Sequence, residues 1–303
     1  MGSGSWTRAT YNSYASTTSL ASKKTAREVF TARQVTSIWN VKDVMLRESR
    51  DSDEHPNSTP IIIGLDVTGS MGSIPHNLIR GGLPDLMDNL LGQSMNNFTV
   101  PDPQVMFIGI GDMSCDSTPI QACQFESDIR IVEQLSSLYV ELGGGGNQTE
   151  SYDLAWLFAA NYTSTDAWDK RKKKGYLFTI GDELPPVGPH DLSKNWPRLA
   201  ERMSGIQGQY NPEEMLAKAQ ERYAVFHLII EQGNGMRSIG ASKVIGGWRE
   251  LLGNNAVLVS DYTKIADVIT SIIAVCEGKD PNDVVQLFEG KDSQPVVKRA
   301  LFD

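Results

Sequence analysis

The chain has few cysteines, no long apolar run and no excess of positive charge, and each shortage excludes a class of protein. Its three cysteines, Cys115, Cys123 and Cys276, have neither the even number of a disulfide framework nor the spacing of a metal-binding motif. No apolar run approaches the roughly 18 residues of a membrane-spanning helix. The formal charge of -9 provides no general attraction for nucleic acid. We therefore expect no membrane and no nucleic-acid partner.

The N-terminal segment lacks the features of a secretory signal. Residues 1–22 are rich in Ser, Thr, Gly and Tyr, with neither a basic start nor an apolar core. We expect a cytoplasmic protein in which residues 1–59 form an N-terminal extension that is partly disordered. With 303 residues, 40% of them hydrophobic, the chain is long enough to bury a core.

Short apolar runs alternate with helical patterns after residue 59. The run Pro60–Asp66 is bounded by a proline and a glycine-containing turn, as in a strand buried on both faces. Further strands are predicted at 104–110, 175–180, 224–230 and 256–259. Strands separated by helices predict an α/β fold with a doubly wound, mostly parallel sheet flanked by helices. Ile120–Phe125 is expected to return as an antiparallel edge strand.

The main domain is predicted to span residues 60–278, with an insertion at 183–223 and a polar C-terminal tail at 279–303. Inside the insertion, Asn211-Pro212-Glu213-Glu214 predicts a helix start, because a capping residue, a first-position proline and first-turn acids agree. The insertion begins directly after a candidate ligand. We therefore expect it to overhang that face of the domain and to influence which partner binds there.

Polar residues follow the predicted strands at three loops, and the carboxyl ends of parallel strands are where open sheets bind ligands. The candidate site residues are Asp66, Thr68 and Ser70 in the first loop, Asn147 and Thr149 after four glycines in the second, and Asp182 in the third. All offer hard oxygen donors, which suits Mg²⁺, with Ca²⁺ or Mn²⁺ as alternatives, and argues against zinc. The sequence therefore predicts a divalent-metal site at one edge of the sheet.

These motifs resemble the von Willebrand factor type A domain: Asp66-x-Thr68-x-Ser70 after an apolar strand, a glycine-rich second loop, and an Asp after a later strand. The resemblance covers residues 60–277. In that family the loops form a metal-ion-dependent adhesion site, in which a carboxylate of the partner fills the open coordination position. The resemblance implies that Thr68 and Ser70 are direct hydroxyl ligands, whereas Asp66 and Asp182 bind the metal directly or through water.

The second loop departs from the family pattern. Where the family usually has Thr directly after the glycines, this chain has Asn147, with Thr149 two residues later, and either oxygen could reach the metal. The resemblance implies a protein-binding module rather than an enzyme. Intracellular members of the family often work beside AAA+ ATPases or in larger assemblies, so a partner of that kind is expected by resemblance alone.

A phosphoryl-transfer enzyme is the alternative interpretation. Asp66-Val-Thr68-Gly-Ser also resembles the loop of haloacid dehalogenase-type phosphatases, in which the first Asp is the nucleophile. However, Thr68 stands where such phosphatases usually have a general acid. The loop that begins at Asp182 also lacks the second Asp expected a few residues later, and the four glycines have no role in that scheme.

Overall fold

A computed structural model describes residues 4–23, 25–41, 46–71, 74–94, 98–140, 148–191 and 209–303. Its strands are β1 (Arg47–Ser49), β2 (Thr59–Asp66), β3 (Pro103–Ile110), β4 (Ile120–Ala122), β5 (Thr163–Thr165), β6 (Gly175–Gly181), β7 (His190–Asp191), β8 (Gln209–Tyr210), β9 (Tyr223–Ile230) and β10 (Ala256–Val259). Within these ranges the central sheet has six strands in the order β10-β9-β6-β2-β3-β4, and two small sheets pair β1 with β5 and β7 with β8.

Strand β2 lies inside the sheet, between β3 and β6, and pairs with both in parallel. All of its residues are buried, because a continuous apolar run can face helices on both sides. Strand β4 pairs antiparallel with β3 and places Ile120 opposite Ile110. The predicted fold class, a mostly parallel sheet flanked by helices with an antiparallel edge strand, is confirmed.

The described helices lie before, between and after the strands in the chain. They are α1 (Arg8–Thr17), α2 (Ala26–Val29), α3 (Ile74–Asn77), α4 (Leu83–Leu90), α5 (Arg130–Ser136), α6 (Tyr152–Asn161), α7 (Asp166–Arg171), α8 (Pro212–Arg222), α9 (Asn234–Ile239), α10 (Ala241–Leu252), α11 (Ile265–Cys276), α12 (Pro281–Gln286) and α13 (Gln294–Phe302). Helix α4 packs against α11, and α6 packs against α8. Of the helices in the described ranges, none is long and apolar enough to span a bilayer.

The described part of the N-terminal extension differs from the partly disordered segment that we expected. Trp6 and Arg8 both donate hydrogen bonds to Asp88 of α4, at 2.9 and 2.6 Å, and Tyr11 of α1 is buried. The aromatic residues explain the difference. The rings of Trp6 and Tyr11 pack 5.9 Å apart and add apolar burial that the Ser- and Thr-rich composition conceals.

The extension also covers the antiparallel edge of the sheet. The main-chain N–H of Ala122 in β4 donates to the Trp39 carbonyl at 3.0 Å. The buried Arg47 guanidinium donates to the Ala122 carbonyl at 2.7 Å. Because an open strand edge can pair with other chains, these contacts protect β4 from such pairing.

Residues 279–303 differ from the predicted polar tail, since they form helices α12 and α13. Val284, Phe288 and Val297 are fully buried. Arg299 donates to both carboxylate oxygens of Glu231, just after β9, at 2.6 and 2.8 Å. The apolar residues recur on one helical face among charged ones, so the average composition indicates a polar segment although one face is apolar. The predicted boundaries of the domain and its insertion stay predictions, and residues 192–208 of the insertion lie outside the described ranges.

Candidate functional site

Asp66 is the last residue of β2, and its side chain is fully buried at the carboxyl edge of the sheet. Its Oδ1 accepts hydrogen bonds from the Thr68 N–H at 2.8 Å and the Thr68 hydroxyl at 2.6 Å. Its Oδ2 accepts a hydrogen bond from the Tyr152 hydroxyl at 3.2 Å. Because the Thr68 hydroxyl donates its hydrogen bond to Asp66, the lone pairs of that hydroxyl point away from the carboxylate. The structure therefore brings Asp66 and Thr68 together in the arrangement expected of a hydroxyl ligand and its anchor.

Asp182 follows β6 directly and is also fully buried. Its Oδ2 accepts a hydrogen bond from the Gly235 N–H at 2.7 Å, beyond the end of β9. A Cβ on Gly233 would lie 2.2 Å from this oxygen, and a Cβ on Gly235 would lie 2.7 Å from the Asp182 carbonyl. Glycine at both positions lets the segment after β9 approach Asp182 closely. The sequence prediction missed this requirement, although Gly233-Asn-Gly235 is visible in the chain.

The second predicted loop is described only from residue 148 onward. The Thr149 hydroxyl donates to the Leu184 carbonyl at 3.0 Å, and the Leu184 N–H donates to the Gln148 carbonyl at 3.1 Å. These bonds join the second loop to the segment that follows Asp182. Asn147 and the side chain of Ser70 lie outside the described residues, so their assignment as ligands stays a prediction.

Three more acids, Asp112, Glu150 and Glu183, lie near Asp66 and Asp182 and form with them an acidic cluster. Burial, together with the charges of Asp182 and Glu183, raises the pKa of Asp66 to about 8 against the lowering effect of the hydrogen bonds from Thr68. Burial raises the pKa of Glu150 to about 10, with added repulsion from Asp66, Glu183 and Asp112. Burial and the charges of Asp182 and Asp112 raise the pKa of Glu183 to about 7. The members of the acidic cluster therefore repel one another.

Asp112 and Glu150 are site residues that the sequence prediction did not select. A repeated signal could have found Asp112, because Ile110-Gly-Asp112 at the end of β3 matches Ile180-Gly-Asp182 at the end of β6. Both strands are parallel neighbours of β2, so equivalent positions reach the same edge. No comparable signal marks Glu150, since an acid just before a helix is common.

The donor chemistry of the acidic cluster and Thr68 fits a hard divalent cation. Carboxylate and hydroxyl oxygens are the ligands that Mg²⁺ and Ca²⁺ prefer, and a positive ion would balance the mutual repulsion of the acids. In the part of the chain that the structure describes, no group of three or more His, Cys, Asp or Glu side chains is arranged to hold a metal ion. Asp66 and Asp182 instead accept hydrogen bonds from Thr68 and Gly235. A cation at this edge would therefore depend on the Thr68 hydroxyl and on water as well as on carboxylates.

The chain matches no family model, and no curated protein matches it in sequence. Its structure is similar to the vWF domain of the type V pili tip protein Mfa5 from Porphyromonas gingivalis, at 11% identity and a TM-score of 0.42, over 73% of this chain and 96% of that one. It is also similar to the pilus adhesin SpaC from Lactobacillus rhamnosus GG, at 10% identity and a TM-score of 0.47, over 79% of this chain and 32% of that one. A third similar structure is the pilus adhesin RrgA from Streptococcus pneumoniae, at 10% identity and a TM-score of 0.37, over 75% of this chain and 45% of that one.

These comparisons bear on two of the predictions made from the sequence. The predicted resemblance to the von Willebrand factor type A domain agrees with the description of the first neighbour as a vWF domain. The predicted cytoplasmic location is contradicted, because the neighbours are described as a pilus tip protein and pilus adhesins, and pili lie outside the cytoplasm. The absence of a recognisable signal at residues 1–22 was therefore an insufficient basis for that prediction.

Proposed function

We propose that the protein is a metal-dependent interaction module, which binds a carboxylate of a partner protein at the carboxyl edge of its sheet. The observation that carries the proposal is the hydrogen bond from the Thr68 hydroxyl to Asp66, since it directs the lone pairs of Thr68 away from the carboxylate and toward a ligand. The proposed ligand set is the one predicted from the sequence, namely Asp66, Thr68, Ser70, Asn147, Thr149 and Asp182.

The described residues of this set have distinct tasks. Asp66 orients the Thr68 hydroxyl, and the Tyr152 hydroxyl holds Asp66 in turn. The Gly235 N–H fixes the carboxylate of Asp182. When bound, the cation supplies positive charge and an open coordination position, which together attract a carboxylate to an otherwise acidic edge. Mg²⁺ is our first expectation because it keeps several waters and needs few protein ligands, with Ca²⁺ or Mn²⁺ as alternatives.

The partner is proposed only as a protein that offers a carboxylate. Two of the similar structures are described as adhesins, and we extend to this chain no more than the general role of binding another protein. The chain spans about a third of SpaC and less than half of RrgA, so the activities of those whole proteins are not transferred. An AAA+ ATPase or a larger assembly as partner stays a prediction, as does the expectation of no nucleic-acid or membrane partner.

The position of Asp66 disfavours the phosphatase alternative. A phosphoryl-accepting carboxylate needs an oxygen that a substrate can reach. Asp66 is fully buried, and its two oxygens accept hydrogen bonds from Thr68 and Tyr152. Catalysis would require Asp66 to leave these partners, so we propose a binding protein and not an enzyme.

The proposal is tested by retention of acidic peptides on the immobilised protein. A peptide library whose members carry or lack a single Asp or Glu is applied with Mg²⁺ or with EDTA. We expect the wild type to retain acidic peptides only with Mg²⁺, and Asp66→Asn to retain none. Asp53→Asn, an exposed acid that precedes β2, should behave as the wild type does. Retention that does not depend on Mg²⁺, or does not depend on the peptide carboxylate, would refute the proposal.

A further inference from the structure

Glu150 has a buried carboxylate oxygen without a hydrogen-bond partner. Only 4% of the residue is exposed, and its Oε2 finds no partner in the described part of the chain. Unpartnered buried polar atoms are rare in folded proteins, because each gives up its bonds to water without replacement. An atom of this kind within the acidic cluster has the capacity to bind a ligand.

We infer that Glu150 supplies a carboxylate oxygen to the cation of the proposed site, in the role that the sequence left open between Asn147 and Thr149. The inference rests on the proposed function and names the ligand that the second loop contributes. It also adds a negative charge of the chain's own to a site that would otherwise rely on hydroxyls, water and the two aspartates.

The main chain around Glu150 is held firmly at the end of β3. The Ser151 N–H donates to the Gly111 carbonyl at 3.1 Å, and the Ser151 hydroxyl accepts a hydrogen bond from the Met113 N–H at 2.9 Å. The next residue, Tyr152, reaches across to Asp66 at the end of β2. These bonds fix the main chain next to Glu150 between the ends of two neighbouring strands.

The carboxyl group of Glu150 faces the residues that the proposed site uses. It interacts with the Thr68 hydroxyl and lies near Asp66, Asp112 and Glu183. The Thr149 hydroxyl, in contrast, donates to the Leu184 carbonyl at 3.0 Å and so links two loops. Of these two neighbours in sequence, Glu150 is the one with an unpartnered oxygen inside the acidic cluster.

The variant Glu150→Gln keeps the shape of the side chain but has no ionisable group. It should bind metal normally if Glu150 is only structural, and more weakly if Glu150 is a metal ligand. Binding of Mn²⁺ alone to the full chain is measured by electron paramagnetic resonance, with folding checked by circular dichroism. We expect Glu150→Gln to weaken Mn²⁺ binding by at least about tenfold, as loss of a group that supports a metal site typically does. The matched control Glu54→Gln, an exposed acid before β2, should bind Mn²⁺ as the wild type does.

Thermal unfolding gives a second measurement. Without metal, Glu150→Gln should melt close to the temperature of the wild type, because an amide of the same shape fills the same buried space. With Mn²⁺, the wild type should gain more thermal stability than the variant, since a ligand stabilises the state that it binds.

The outcomes separate this inference from the proposed function. Equal Mn²⁺ affinity in Glu150→Gln and the wild type, combined with loss of binding in Asp66→Asn, overturns the role of Glu150 and leaves the proposed function standing. No Mn²⁺ binding by the wild type overturns both. If Glu150→Gln does not fold, Glu150→Asp provides the same test: weaker binding supports the role, and unchanged binding overturns it.

Discussion

Carboxylates lie near both ends of the central sheet, but the charged groups around them are positive at one end and negative at the other. At the amino end, Asp51 accepts hydrogen bonds from Arg171 at 2.7 and 3.1 Å. Burial alone would raise the pKa of Asp51, but bonds from Arg171, Ser58 and Lys170 hold it well below its ordinary value. At the carboxyl end, burial and the charges of neighbouring carboxylates together raise the pKa of Asp66 to about 8.

This contrast separates acids that stabilise the fold from acids that we propose to bind a cation. Asp51 is paired with an arginine and a lysine, whereas the charged neighbours of Asp66 are other acids. Groups whose pKa values are strongly perturbed by burial and by like charges concentrate at functional sites. We therefore read the amino end as structural and the acidic cluster as the site of an external cation, and the two ends should respond oppositely to loss of charge.

The largest effect is expected from Asp51→Asn at the amino end. The substitution leaves the partly buried Arg171 without its carboxylate partner, and we expect a loss of about 2 kcal/mol in the free energy of unfolding. Urea denaturation at neutral pH measures it, with an unchanged slope showing that only stability has altered. A loss below about 0.5 kcal/mol would show that the pair is an ordinary surface contact and would remove one side of the comparison.

Gly233→Ala should disturb the carboxyl end through sterics. The new Cβ would meet the Asp182 carboxylate at 2.2 Å, so we expect a loss of about 1.5 kcal/mol together with weaker Mn²⁺ binding. Gly246→Ala in helix α10 is the matched control, because a Cβ there meets nothing within 4 Å. It should gain about 0.5–1 kcal/mol from helix propensity and bind Mn²⁺ normally. Equal stability of the two variants would contradict the close approach at Asp182.

Glu183→Gln should change the free energy of unfolding in the opposite direction to Asp51→Asn. Removing one charge from the acidic cluster should relieve repulsion, so the metal-free protein should become more stable by about 0.5 kcal/mol. The urea midpoint at neutral pH in the presence of EDTA measures the change. A destabilised variant would mean that Glu183 has a favourable charge partner, and the two ends of the sheet would then not differ as we describe.

The smallest effect is expected at Asp153, because its partner His190 can change its charge near neutral pH. His190 of β7 lies 2.8 Å from the buried Asp153, and the hydrogen bond to that carboxylate raises the pKa of His190. A raised pKa means that the stabilisation is complete below the ordinary histidine value of about 6.5 and is lost as the pH rises through the value in the folded protein.

Hydrogen exchange of β7 and β8 measures this dependence. After correction for intrinsic exchange rates, protection should be a few-fold greater at about pH 5.5 than at about pH 8.5. His190→Gln should show no such difference, and a wild type with equal protection at both pH values would contradict the ion pair.

The sheet could be predicted from the sequence because its signals are local. The run Pro60–Leu65 is apolar throughout, and a strand buried on both faces requires such a run. The neighbouring positions of Asp66 and Thr68 followed from the same run, since residues just after a parallel strand reach the ligand-binding edge. The terminal helices were not predicted, because Tyr11 and Phe288 pack through contacts with distant parts of the chain that no local pattern encodes.

The site could be predicted only in part, for a physical reason. Which of two adjacent side chains in a loop turns inward depends on the main-chain bonds of that loop, and these bonds connect segments far apart in sequence. Thr149 is held by Leu184, and Ser151 is held by Gly111 and Met113. The sequence pattern favoured Asn147 and Thr149, and it gave no sign that Glu150 would have a buried oxygen without a partner.

The most direct test of a cation at the carboxyl edge is the anomalous difference map of a Mn²⁺-soaked crystal of the full chain. We expect a peak beside the Thr68 hydroxyl and Glu150 Oε2, at about the 2.0–2.6 Å that hard cations keep from their oxygen ligands. A crystal that shows Mn²⁺ only elsewhere on the surface, with Asp66 and Thr68 still hydrogen-bonded and no peak between the loops, would contradict it.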